Sequence, residues 1–387
     1  MLDRNIEACE ISHRTWAEIN LNNIEHNYHE IRNHVQSKIC CVVKANAYGH
    51  SAIVLSSLYE KLGADYLAVS NIKEALQLRD NNITIPILIL GYTPPQCASL
   101  LAKYNLSQTV YSIDYGRQLI ENASHSASQI KVHIKIDSGM GRIGFKPNKE
   151  AVNDIVSLFK GSPLIVEGIF THFAVADGGK DGYEYTMLQY EEFRKIVKYL
   201  KEQGLNFDVI HCSNSAAILD YSDFEFDMVR AGIILYGLYP SESVNRKLNL
   251  LKAMRLVSVI SHIKYVEPGE SVSYGRTFVA EKRMKIATVP AGYADGLWRS
   301  NGNGRYSLKV NGQYAKIIGR ICMDQLMIDV TDINCDIGDE VLIFGDDERC
   351  SADVIAELNS TINYEVVCSV GERVPRLFVK DDDIAEL

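Results

Sequence analysis

From Ile39 to Leu235, short continuous apolar runs alternate with stretches whose apolar positions recur at helical spacing. The runs predict strands at Ile39–Lys44, Tyr66–Ser70, Pro86–Leu90, Thr109–Ser112, Val132–Asp137, Val166–His172, Val209–Cys212 and Met228–Leu235. Helical patterns lie between most of them, as at Ile72–Arg79 and Tyr185–Glu202. Runs such as "PILIL" and "IILYG" lack the alternation of a half-buried strand, so both faces must be covered. Eight such βα repeats predict an α/β fold, a (β/α)8 TIM barrel, over residues 1–245.

Past that point the rhythm changes. Strand-like runs at Arg255–Val266, Lys285–Val289, Ser307–Val310, Ala315–Ile318, Leu326–Val330 and Glu340–Phe344 follow one another with few helices. Asn311–Gly312, between "SLKV" and "QYAKI", predicts a tight hairpin. One short helix is expected near Ser351–Leu358. Residues 246–387 therefore predict a separate, mainly β domain. "RTWAEINL" at 14–21 is also strand-like and precedes the barrel, so a strand at about 13–21 is expected to pair with that distant domain.

Composition narrows the function classes. The chain has 387 residues, enough for two domains, and its 47% hydrophobic and 23% charged content is that of an ordinary soluble protein. A net charge of −9, spread along the chain apart from Asp381–Asp383, argues against nucleic acid or an anionic membrane as partner. Asp3, Arg4, Glu7 and Glu10 interrupt the start of the chain, so no signal peptide is expected, and no apolar stretch could span a bilayer. Nine cysteines without a CxxC pair fit reduced thiols in the cytoplasm, and no metal site is expected.

The candidate chemistry starts at Lys44, an ammonium closing a buried strand. Barrel enzymes gather their reacting groups at the carboxyl ends of their strands. A desolvated amine near other cations becomes a nucleophile toward carbonyls. Alone, a strand-end lysine more often snorkels into solvent. Other strand ends change that balance. "KIDSGMGRIGF" brings Lys135, Asp137 and Arg142 together around three glycines, "FTHF" carries His172, and "HCSNSAA" sets Ser213 and Ser215 before a helix start suited to phosphate. Arg230 precedes Gly232. A lone serine or glycine there is a cap or a turn. A lysine, a phosphate cradle and clustered cations together point to a phosphorylated aldehyde held as a Schiff base, pyridoxal phosphate.

With these residues in place the chain resembles the alanine racemases, from "RTWAEINL" to "VPRLF". The resemblance rests on "VVKANAYGH" at 42, "KIDSGMGRIG" at 135, "NSAA" at 214, "MVRAGI" at 228, "SYG" at 273, "AGYADG" at 291, "GRICMDQ" at 319 and "INYEV" at 362. It departs at Ser51, where the family's motif has glycine. The resemblance implies that Lys44 carries the pyridoxal phosphate as a Schiff base. Tyr48, Ser215, Gly232, Ile233 and Tyr364 would surround the phosphate, Asn214 and His172 would also bind the cofactor, and Arg230 would face the pyridine nitrogen. Arg142 would contact the cofactor's phenolic oxygen and the substrate carboxylate, gripped by a carbamylated Lys135. Tyr274 would be the second base, with His172 beside it, and the Met323 backbone N–H would bind the substrate carboxylate. Asp177, Tyr293, Arg299, Arg320 and Asp324 would line the channel by which substrate arrives; in sequence they could equally form a surface ion-pair network. Tyr274 and Met323 would serve the partner subunit's site, which implies a homodimer with shared active sites.

Each role has a physical reading. Racemisation needs a proton removed from one face of a planar carbon and returned to the other, and an amine and a phenol can do this. A phenol is a poor base at neutral pH unless His172 and Arg230 favour its ionised form. Arg230 cannot yield a proton, so a ring nitrogen facing it stays unprotonated and transamination is discouraged. Without a carbamate, Lys135 reads as a strand-face lysine paired with Asp137. Cys322 reads as a packed thiol. Tyr274 and Tyr364 would narrow the pocket to alanine, with serine only weakly rejected. D-Alanine for peptidoglycan is the purpose the family implies. The rival readings are a broader serine/alanine racemase, a barrel-type pyridoxal-phosphate decarboxylase and a non-catalytic carrier of the same cofactor.

Overall fold

The computed structural model describes residues 14–123, 129–381 and 383–385. The charged residues at 3–10, read above against a signal peptide, lie outside them. Two compact units divide the chain: Glu25–Leu250 forms one, while the segment ending at Ile24 groups with Leu251 onward.

The first unit is a barrel. After β1 (Thr15–Asn20) come β2 (Lys38–Val42), β3 (Tyr66–Val69), β4 (Ile87–Ile89), β5 (Leu106–Val110), β6 (Ile130–Lys135), β7 (Leu164–Phe170), β8 (Val209–His211) and β9 (Met228–Ala231). β2 through β8 pair in parallel in chain order, and β9 returns to β2. The ring is nearly closed between β8 and β9, where Asp227 N–H donates to the Ile210 carbonyl at 3.0 Å and Arg230 N–H to Ser213 at 2.9 Å. Complete burial of strands such as "YLAV" and "LSQTV" is what a sheet enclosed on both faces demands. Asparagines cap several of the intervening helices: Asn71, Asn148 and Asn214 each accept a first-turn N–H, satisfying an otherwise orphaned donor.

The second unit is mainly β. Its strands are β10 (Met254–Val259), β11 (His262–Val266), β12 (Ser271–Val272), β13 (Phe278–Val279), β14 (Met284–Val289), β15 (Ser307–Val310), β16 (Gln313–Ile318), β17 (Leu326–Asp329), β18 (Glu340–Phe344), β19 (Arg376–Lys380) and β20 (Asp383–Ala385). All but β12 and β13 join one ten-stranded sheet. β1 sits inside it, antiparallel to β10 and parallel to β19, which is the distant pairing expected of "RTWAEINL". Ala17 and Ile19 are fully buried, so the alternation of this strand matches its register.

Four local expectations need correction. Met228–Leu235 is not one strand: β9 ends at Ala231, and Ile233–Tyr236 is a 3-10 turn. All four of its residues are buried, so hydropathy gave no period to separate them. Arg255–Val266 divides into β10 and β11. The helix expected at Tyr185–Glu202 begins earlier, at Gly179. Gly182 lies in its first turns because a Cβ there would stand 2.1 Å from the Val175 carbonyl oxygen. "INYEV" opens a second helix, Asn363–Cys368, beside the anticipated one at Ala352–Leu358.

The β15–β16 hairpin turns on Asn311 and Gly312, with φ of 47° and 80°. Nothing lies within 4 Å of a Cβ built on Gly312. Gly312→Ala therefore isolates backbone strain, and denaturant unfolding is expected to show a loss of about 1 kcal/mol.

Candidate active site

β2 delivers Lys44 to the carboxyl end of the barrel, and the chain then turns left-handed. Ala45, Asn46, Ala47 and Tyr48 take φ of 51°, 55°, 54° and 53°, a run that costs roughly 1–2 kcal/mol per residue without glycine. Neighbouring groups offset that strain. Ala45 N–H donates to Glu74 Oε1 at 2.9 Å, Gly49 N–H to the Ala45 carbonyl at 3.0 Å, and Ala52 N–H to Asn46 Oδ1 at 2.8 Å. His50 stacks on Tyr236 at 4.6 Å, and Tyr236 Oη donates to the Val42 carbonyl at 2.7 Å. The turn is thereby fixed to the strand that bears Lys44.

Its far end places the Tyr48 hydroxyl at a cradle. Gly232 N–H donates to Ser215 Oγ at 3.0 Å. A Cβ on Gly232 would stand 2.9 Å from Tyr48 Oη and 3.4 Å from Ser215 Oγ. Two hydroxyls thus converge on backbone that only glycine leaves open. Ile233 follows, fully buried, and Asn214 uses its side chain as the cap of Ser215–Asp220.

Cations gather at the same strand ends. Arg230 is 4% exposed, with NH2 donating to the carbonyls of Thr171 and Cys212 at 2.9 Å and to His172 Nδ1 at 3.2 Å. Its NH1 donates to His211 Nδ1 at 2.9 Å, and its guanidinium lies 5.4 Å from the Phe170 ring centre. Burial pulls its pKa down to about 10, which leaves it charged at neutral pH. Burial also drives His172 well below its usual range, reinforced by Arg230, Arg142 and Lys135, so this ring is neutral with its proton on Nε2.

Lys135 is 2% exposed at the end of β6 and donates to the Ile136 carbonyl at 2.7 Å. Burial first, then the neighbouring Arg230, lowers its pKa to about 7. No Lys135–Asp137 ion pair is present among the described residues: Asp137 Oδ1 instead accepts from Gly139 and Gly141 N–H at 3.2 and 2.9 Å. That shapes the "DSGMGRIG" loop and leaves Arg142 exposed, with no ion pair among the described residues. Asp177 lies in this unit too, its carbonyl accepting from Ser241 Oγ at 2.6 Å.

The β unit gathers the remaining predicted residues. Ser273, at a φ of 68°, bonds through Oγ to the Arg320 carbonyl and turns Tyr274 outward, where it is 64% exposed. Gly292 lets the 291–296 turn lie against the "CMD" turn, since a Cβ there would stand 2.2 Å from the Met323 carbonyl oxygen. Tyr293 and Ala294 N–H donate to the Cys322 and Met323 carbonyls, both at 3.1 Å. Arg299 and Arg320 share a surface hollow of about 420 Å³. Tyr364 stands on the Asn363–Cys368 helix. Asp324 pairs with Arg373 at 2.8 Å, and Arg373 also reaches Asp295 at 2.9 Å. Asp295, buried and bonded to Gly292 N–H and Arg14, was not singled out in sequence, although its place in "AGYADG" was the available signal.

The sequence matches the family model for the alanine racemase N-terminal domain over residues 19–240 and that for the C-terminal domain over 253–378. The chain belongs to the alanine racemase family. It is an enzyme, an isomerase acting on amino acids. It is 45% identical over 377 residues to alanine racemase 1 of Clostridium acetobutylicum, spanning 96% of this chain and 97% of that one. To the alanine racemase of Clostridium novyi it is 42% identical over 378 residues, with 96% and 97% covered. Among solved structures, the alanine racemase of Clostridium difficile 630 superposes with a TM-score of 0.93 at 45% identity, over 97% of this chain and 98% of that one. The Bacillus anthracis alanine racemase with bound L-Ala-P gives 0.91 at 36%, over 96% and 97%. The barrel and the mainly β domain expected from the sequence are thus the architecture of this racemase family.

Lys135 offers a direct check on the site's electrostatics. Its folded pKa of about 7 lies below the ordinary 10.5, so the unfolded chain binds more protons between those values. Stability contributed through this group therefore rises with pH across that window. In buffer free of carbon dioxide, so that the amine stays unmodified, unfolding of Lys135→Met against the parent protein from pH 7 to 10 is expected to show a flatter pH profile in the variant.

Proposed function

We propose that the chain interconverts L-alanine and D-alanine, using pyridoxal phosphate held covalently through Lys44 Nζ. The observation that carries this reading is the cradle at Gly232, where the Tyr48 and Ser215 hydroxyls face a space that a single methyl would fill. A phosphate needs such a concentration of donors, and Lys44 leads into the turn that supplies one of them. Bound there, pyridoxal phosphate would withdraw electrons from alanine Cα and acidify its hydrogen.

The chain's own groups supply the rest. Tyr274 takes the Cα proton of L-alanine while Lys44 delivers one to the opposite face, and the roles reverse for D-alanine. Arg230 faces the pyridine nitrogen as a donor that keeps its proton, so that nitrogen stays unprotonated. Arg142 and the Met323 N–H hold the substrate carboxylate, with His172 beside Tyr274. Lys135 carries a carbamate: an amine with a pKa of about 7 is substantially neutral at pH 7 and can add carbon dioxide, and the anion formed would grip Arg142. Asn214, Ile233 and Tyr364 complete the phosphate site. Asp177, Tyr293, Arg299, Arg320 and Asp324 guide substrate inward, and the hollow shared by two of these arginines suits a carboxylate. Tyr364 and Tyr274 restrict the pocket to alanine, with serine a minor substrate.

The enzyme works as a homodimer in which Tyr274 and Met323 complete the partner's site. Their exposure of 64% and 52% in the single chain supports this, because a base acting on Cα needs shelter from water. The proposed role is cytoplasmic supply of D-alanine for peptidoglycan. Among the described residues no helix is long and apolar enough to cross a membrane.

Incubation with L-alanine is expected to yield D-alanine to equal amounts of each; decarboxylation of a larger amino acid without racemisation would overturn the reading. In Tyr274→Phe, solvent deuterium should enter D-alanine through Lys44 while exchange into L-alanine is suppressed, and equal loss in both directions would refute the division of labour. Gly232→Ala should weaken pyridoxal phosphate binding by about tenfold or more, roughly 1.4 kcal/mol, in a cofactor titration. An unchanged affinity would remove the cradle from the site.

A further inference from the structure

Behind Arg230 runs a line of buried polar groups that the proposed reaction does not use. His211 Nδ1 accepts from Arg230 NH1 at 2.9 Å, and His211 Nε2 lies 2.9 Å from His133 Nδ1. His133 Nε2 in turn lies 3.1 Å from Glu167 Oε2. Both rings are fully buried. Glu167 also accepts from Ser107 Oγ and lies 3.3 Å from Lys131 Nζ.

The ends of this line dictate its proton positions. A guanidinium only donates, so His211 Nδ1 must be bare and its hydrogen must sit on Nε2. That hydrogen requires a bare Nδ1 on His133, whose own proton then sits on Nε2 and points at the carboxylate. Three features of the fold serve this arrangement. The β6–β7 register shifts between Val132 and His133, pairing Val132 with Val166 and His133 with Gly168, so Glu167 is the extra, bulged residue of β7. Gly168 leaves room for the ring, since a Cβ there would stand 2.5 Å from His133 Nδ1. Phe170 stacks on His211 with ring centres 4.8 Å apart and planes within 5°.

We propose that Glu167 is a positioning residue for Arg230, acting through His133 and His211 as a relay held in one tautomeric state. The inference rests on the reading of Arg230 as the group facing the cofactor's ring nitrogen. A buried guanidinium needs a counter-charge, yet a carboxylate beside the ring nitrogen could protonate it. Two imidazoles solve both problems: the negative charge stays remote, while aligned hydrogen bonds transmit its orienting effect. Arg230 is then fixed in plane and polarity without an acid beside the cofactor.

The test uses holoenzyme labelled with 15N-histidine. In the parent protein, both His211 and His133 are expected as neutral Nε2–H tautomers. Glu167→Gln replaces the obligate acceptor with a group that can also donate, so His133 and His211 should show mixed or inverted tautomers. kcat should fall by about tenfold, with KM for alanine changed less than twofold. Ser107→Ala removes a second bond to Glu167 but leaves the relay intact, so its tautomers and kcat should match the parent. An Nδ1–H tautomer or an imidazolium at His211 in the parent overturns the proposal, and needs no variant to fold. Unchanged tautomers in Glu167→Gln, or an equal loss in Ser107→Ala, overturn it as well. Correct tautomers in a protein that does not racemise alanine would instead sink the functional reading and leave the relay standing.

Discussion

Two cations buried side by side at one end of a barrel are the constraint around which this site is arranged. Arg230 and Lys135 are both almost wholly enclosed, and no carboxylate is among their hydrogen-bond partners in the described residues. Charge in such a place is costly unless every donor is satisfied. The fold answers in three ways. Carbonyls at the ends of β7 and β8 take Arg230 protons, Phe170 offers its face to both cations, and Lys135 sheds much of its charge through a lowered pKa. A barrel suits this because adjacent strand ends deliver several carbonyls to one point. A cation-rich floor is also what the proposed anionic cofactor and carboxylate substrate would require, so their binding would offset the cost of that burial.

The left-handed turn after Lys44 belongs to the same logic. A right-handed helix beginning at Lys44 would carry Tyr48 along a different path, one turn up the same face. Four consecutive left-handed residues instead turn the chain so that the Tyr48 hydroxyl comes against Gly232. That backbone persists because Glu74, Asn46 and the His50–Tyr236 stack hold it from several directions. Tyr236 itself comes from the turn that follows Gly232, so the two ends of the cradle brace each other.

Much of this was legible in the chain, for a physical reason. Buried strands are written as unbroken apolar runs, and the ends of two of them carried Lys44 and His172, with Lys135 just before the end of its run. Arg230 stands near the start of a predicted run that the fold cuts short at Ala231. Legibility failed where burial was uniform. "IILY" is as apolar as any strand yet forms a 3-10 turn, and the sequence alone cannot separate two wholly buried conformations. It failed again where a residue's role depends on a neighbour distant in sequence. Gly182 in a helix and Gly168 in a strand look like weak points until the Val175 carbonyl and the His133 ring are found against them. Glu167 and His133 read as polar interruptions of apolar strands, and Asp295 as one acid among many. Their meaning lies in pairings that only the folded register supplies.

The proposed homodimer assigns the two proton carriers according to what each unit does well. Strand ends of a barrel fix groups rigidly and shield them, which suits a covalent anchor and a phosphate cradle. They offer few ways to place a second proton carrier on the opposite face of a flat substrate, because every strand end approaches from the same side. In the β unit, Ser273 and Gly292 instead shape two turns that present Tyr274 and Met323 outward. An outward phenol has no shelter of its own and becomes an effective base only when another surface closes over it. Two-sided proton transfer would therefore need a second surface, and in the proposed homodimer that surface is a second copy of the chain.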